Sequence, residues 1–177
     1  MKRKSAAFWI IKIILISIVA SMVFMLVSTE VLGRTGMAMA FILLSVFILI
    51  GIIFDIIGIA VMSANETPFH SMASRRQRGA AESLRLLKSA DKVATLCNDV
   101  IGDVTGIVSG TTAALVTVRL MINLKTENII FELVIIGLVT GLTIGGKAIG
   151  KVVAINNSTM IVHKVGILIS FLKIKSR

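Results

Sequence analysis

The sequence predicts an all-α integral membrane protein: a polytopic bundle of four transmembrane helices with a juxtamembrane helical hairpin and a C-terminal interfacial helix. Three observations carry that expectation. Hydrophobic residues make up 56% of the chain and mean hydropathy is +0.97, whereas soluble chains run near about 45–50% apolar even with Gly counted in. Four largely apolar runs approach or exceed the ~20 residues that cross a hydrocarbon core. The basic residues flank those runs and form no soluble basic face. The net charge of +10 therefore reads as positive-inside flanking and not as a nucleic-acid surface. A mass of 19.0 kDa leaves room for a single transmembrane domain, expected over 1–177.

The first span, 6–27, is apolar except for Lys12, which lies near one end and snorkels to the headgroups. The opening Met-Lys-Arg-Lys is like the start of a signal peptide, but the apolar run is too long and leads into another span. Gly33-Arg34-Thr35-Gly36 makes a tight turn into the second span, 37–62, whose one charge is Asp55. The juxtamembrane segment, 63–92, is basic. Gly79 is its expected break, and Leu84, Leu86 and Leu87 are available to face lipid. The third span, 98–122, is weaker, with Thr and Gly throughout and Asp99 and Asp103 at its start. A polar turn over 123–128 leads to the fourth span, 129–150. Beyond it, Thr159, His163, Gly166, Ser170, Lys173 and Arg177 recur at spacings of four and three. They form one polar stripe on an apolar helix over 158–175, too short between its lysines to span and expected to lie on the inner leaflet.

Orientation follows from the cations. Of the 19 Lys and Arg, Arg34, Arg119 and Lys125 fall on one side and the other 16 on the opposite side. Both termini are therefore expected in the cytoplasm of a multi-pass protein of the cell membrane, expected to be a bacterial plasma membrane. Cys97 is alone, so no internal disulfide forms. No nucleophile–base pair, metal motif or phosphate loop points to an enzyme. His70 and His163 have no partner at metal-ligand spacing.

Charges in hydrocarbon are costly and either pair or mark a pathway. At 1.5 Å per residue, Asp55 lies within roughly two turns of the inner face. Asp99 and Asp103 enter the third span at about that depth, and Lys147 leaves the fourth there. Asp99 and Asp103 are i and i+4, on one helix face. Asp55, Ser63 and Glu66 share a face if the second helix continues. Asp55, Ser63, Asn65, Glu66, Asn98, Asp99 and Asp103 are therefore the candidate ligands of one inner-half cation site. A second reading stays open at each point. Ser63 and Glu66 have the spacing of a capping box, Thr67-Pro68 that of an N-cap with Pro at the first helical position. The aspartates could form a structural ion pair with Lys147, and Arg119 could pair with Glu132. Gly102, Gly106 and Gly110 form a four-residue ladder for close helix packing, within or between protomers.

Ser63-Ala64-Asn65-Glu66-Thr67, followed by Arg75, Arg76 and Arg78, resembles the membrane domain of the CNNM/CorC family of magnesium transport and efflux proteins. Asn98-Asp99 with Gly102-Asp103, and Gly146-Lys147-Ala148 with Lys151, stand near its second and third motifs. The resemblance covers roughly 40–175. It implies a dimeric membrane domain whose Ser, Asn and Glu motif residues bind Mg²⁺. It departs in three respects. Lys147 stands where the family has a glutamate, Gly150 stands for its proline, and the paired nucleotide-binding domains are absent. Two functions follow as expectations: a homodimeric divalent-cation (Mg²⁺) transporter, or a non-transporting scaffold or partner of a separate regulatory protein, with Lys147 neutralising the aspartates.

Overall fold

A computed structural model describes residues 2–125 and 128–175, with side chains for 8–31, 33–125 and 128–172. The described chain is helical throughout, with no strand. In order come α1 (Lys2–Arg34), α2 (Met37–Ser63), α3 (Thr67–Ser74), α4 (Ala80–Lys88) and α5 (Ala90–Ala94). A π-helical segment (Thr95–Gly102), α6 (Asp103–Leu124), α7 (Ile129–Asn156) and α8 (Ser158–Lys175) follow. Phe8–Val31, Met37–Ser63, Ala90–Leu124 and Ile129–Asn156 are each long and apolar enough to cross a membrane. This is the character of a multi-pass membrane protein. The long runs of Ile, Leu, Val, Ala and Met contain no proline, since Pro68 is the only one. A helix satisfies every backbone polar group within its own segment, which hydrocarbon demands. The third span starts earlier than expected, at Ala90, because Asp91 and Lys92 are carried as an exposed first turn of the same continuous helix.

The chain divides into two compact units. The first comprises Met1–Ile52 and Asp99–Gly146. In it α1 packs along α6, where Ser28 Oγ and Thr112 Oγ1 share a buried 2.8 Å hydrogen bond. Phe24 meets Phe47 edge to face with centroids 5.8 Å apart. Phe47, Val104 and Val108 form a small core with Ala20, Phe24 and Leu43 around it. Glycine makes the close approach at Gly51, where a Cβ would stand 2.7 Å from Thr105 Oγ1. It does not do so at Gly106 and Gly110. A Cβ on either meets nothing within 4 Å, so the Gly106–Gly110 part of the ladder is an open face of α6 within the protomer, whereas Gly102 is buried. Four-residue spacing selects a helix face but not the neighbour it meets. The same holds for Arg119 and Glu132. No ion pair joins them among the described residues.

The second unit comprises Ile53–Asn98 and Lys147–Arg177. Ala60, Val61, Phe69, Leu87, Ala154 and Val162 form its core, drawing together the end of α2, α3, α4, the end of α7 and α8. Gly79, at φ 81, is the break between α3 and α4 that the sequence predicts. α8 forms over the range that the sequence predicts. Its polar stripe faces α4. Gly166 and Ser170 are buried, and a Cβ at Gly166 would collide with Ser83 Oγ. Ser83 Oγ donates to Gly79 O at 2.9 Å and approaches Val162 O at 3.2 Å. His163 Nε2 donates to Arg78 O at 3.1 Å. Met160, Leu168, Phe171 and Leu172 face outward. The reason is that small and hydrogen-bonding residues allow close helix approach where apolar solvent leaves side chains nothing to gain by burial. Arg177 lies outside the described residues, as does the side chain of Lys173.

Candidate functional site

Asp55 and Gly58 lie three residues apart on α2, hence on one side of it. Gly58 is buried, and a Cβ there would collide with the Asn98 side-chain oxygen. The Asn98 amide therefore rests directly on the α2 backbone, on the side that carries Asp55. Its Oδ1 is buried and has no hydrogen-bond partner. A buried carbonyl oxygen without a donor is costly, and native structures leave few of them unexplained. It is also a hard oxygen donor of the kind that Mg²⁺ and Ca²⁺ accept.

Asn98 sits in the π-helical segment Thr95–Gly102. Such segments are rare and concentrate at functional sites. The segment ends where Thr105 Oγ1 donates to the carbonyls of Ile101 and Gly102, at 2.7 and 3.1 Å. Asp99 lies in the π segment and Asp103 opens α6, so the simple i, i+4 relation expected of one regular α-helix is altered by the change of winding. Both are exposed.

The corner between α2 and α3 differs from expectation. α2 ends at Ser63, so Asp55, Ser63 and Glu66 do not continue along one helix. The capping box does not form: Glu66 occupies the N-cap position of α3 in helical conformation and makes no side-chain cap hydrogen bond. Asn65 does the capping work, its Oδ1 accepting from Thr67 N at 3.0 Å and Thr67 Oγ1 at 2.9 Å. An Asn side chain mimics a backbone turn in this way and outcompetes the longer Glu reaching back. Glu66 Oε2 instead lies 3.7 Å from His70 Nε2, and both are exposed. Pro68 falls in the first turn of α3, where its missing N–H costs nothing.

The seven candidates thus separate. Asp55, Ser63, Asn65, Glu66 and Asn98 belong to the second unit, Asp99 and Asp103 to the first. Gly58 seats the Asn98 amide about one turn along α2 from Asp55, while Ser63, Asn65 and Glu66 lie at an exposed corner. Among the described residues, no three His, Cys, Asp or Glu side chains gather as a metal-holding group. Gly58 is the residue that sequence reasoning missed. Its signal was a glycine one turn beyond the lone carboxylate of an apolar run. No protein-family model, characterised protein or solved structure matches the chain.

Proposed function

We propose that this chain is a divalent-cation transport or efflux component, with Mg²⁺ as its leading substrate and a homodimer as its working form. The observation that carries the reading is the orphaned Asn98 Oδ1 held against Gly58, on the side of α2 that bears Asp55. A hard cation would satisfy the Asn98 carbonyl oxygen, which has no donor. The Ser63–Thr67 resemblance to magnesium transport proteins supports the same chemistry. Asn65 is the weakest of the ligands, since its Oδ1 already accepts two hydrogen bonds.

Thermal unfolding of the detergent-solubilised chain tests this. Millimolar Mg²⁺ is expected to raise the wild-type melting temperature, and Asn98→Ala and Asp55→Asn to abolish the rise. Lys147→Met is expected to preserve or strengthen it by removing a competing cation. The alternative, a non-transporting scaffold or partner of a separate regulatory protein, follows from Lys147 standing in place of the family's glutamate. It predicts no Mg²⁺ effect and a destabilised Lys147→Met protein. A wild-type curve unmoved by Mg²⁺, Mn²⁺ and Co²⁺ overturns the transport reading.

A further inference from the structure

Arg75, Arg76 and Arg78 stand exposed on the turn between α3 and α4. None of them enters an ion pair among the described residues. The turn is built rigidly. Arg76 N–H donates to Ala73 O at 2.9 Å and Gln77 N–H to Met72 O at 3.0 Å, the paired bonds of a Schellman cap. That motif places a left-handed residue after the helix, a position that favours glycine. Here it is Arg76, at φ 53. The far side of the turn is fastened to α8. Gly79 backs so closely onto Ile167 that a Cβ would stand 2.5 Å from its amide nitrogen, and His163 bonds the Arg78 carbonyl.

The guanidinium of Arg78 lies 4.1 Å from the Phe171 ring centroid. Stacking holds the guanidinium plane while leaving its N–H edges to an acceptor. Phe171 is itself 51% exposed, beside Leu168 at 60% and Leu172 at 64%. The Arg78 guanidinium thus adjoins an outward apolar face, with Arg75 and Arg76 exposed on the same turn, on a core that also includes the ends of two spanning helices. A soluble protein partner would explain the charge but not the bare aliphatic face beside it. An amphiphile with an anionic head explains both.

We propose that this surface binds an anionic phospholipid, with Arg75, Arg76 and Arg78 on the headgroup phosphate and Leu168, Phe171 and Leu172 against its acyl chains. The inference does not depend on the cation reading. It is tested with the purified full chain in neutral detergent, melted with phosphatidylglycerol, with phosphatidylcholine or with inorganic phosphate. Phosphatidylglycerol is expected to raise the melting temperature by several degrees more than phosphatidylcholine, with a difference that shrinks as salt rises. The combined Arg75→Gln, Arg76→Gly, Arg78→Gln variant should lose that difference. Arg76→Gly alone relieves the left-handed arginine, so it should keep or raise the lipid-free melting temperature while weakening the phosphatidylglycerol shift. That variant separates lost binding from lost folding. Equal shifts with the two lipids, or a full shift in the triple variant, overturn the proposal. An equal shift from inorganic phosphate overturns it in favour of a small-anion site.

Discussion

At the scale of single residues, two positions expose how tightly the second unit is fitted. Gly58 has the Asn98 amide where its Cβ would be. Gly58→Ala is therefore expected to cost about 1–3 kcal/mol through overpacking, read as a lower melting temperature in detergent. An unchanged curve would mean that the two helices part without cost. Ser170 is the opposite case. Its Oγ is buried with no partner, so Ser170→Ala removes an unsatisfied polar group and leaves a methyl that fits the space. The expected result is equal or higher stability, by up to about 1–3 kcal/mol, the desolvation penalty of such a group. A destabilised Ser170→Ala protein would show that the hydroxyl has a partner.

At the scale of elements, the helix pairs differ in what joins them. α1 and α6 share the buried Ser28–Thr112 hydrogen bond. Ser28→Ala and Thr112→Val should each cost about 0.6 kcal/mol, typical of such bonds between membrane helices. The double variant should cost less than the sum, because either change alone breaks the same bond. α4 and α8 are joined by close contact at Gly79, Ser83 and Gly166 as well as by the Ser83 Oγ hydrogen bond to Val162 O. Gly166→Leu forces a large side chain into Ser83 and should detach α8, seen as a large drop in melting temperature. Gly106→Leu is the control, since its side chain enters open space in the protomer. It should leave the protomer's stability intact, and if the chain forms the proposed homodimer, a smaller size on size-exclusion chromatography would locate the subunit contact on that face of α6. A large stability loss from Gly106→Leu would contradict the packing described for α6.

At the scale of the whole molecule, the asymmetry of Lys and Arg predicts that both termini lie in the cytoplasm. Reporter fusions at each end test this. An external C-terminus would require an odd number of spans and would remove α7 or one of the other three helices from the membrane.

The existence, type and order of the spanning helices were legible in the sequence. Hydrocarbon allows an isolated apolar run essentially one backbone solution, so composition along about 20 residues is enough. The break at Gly79 was legible for a similar reason, because a turn there needs a residue that adopts positive φ. Azimuth was not legible. Where solvent is as apolar as the side chains, hydrophobicity no longer marks the inward face. That is why the polar stripe of α8 turns toward α4 and why Gly106 and Gly110 remain open while Gly51 and Gly58 make the close contacts. The candidate site divides along the same line. Asp55, Asn98, Asp99 and Asp103 stood out as polar groups in apolar runs, a cost visible from sequence. Only tertiary structure decided that Asn65 caps α3, that the winding changes over Thr95–Gly102, and that Gly58 is what the Asn98 amide rests on. Those outcomes depend on which backbone groups compete locally for one side chain, and on which helix lies against which, and neither is encoded in spacing along one chain.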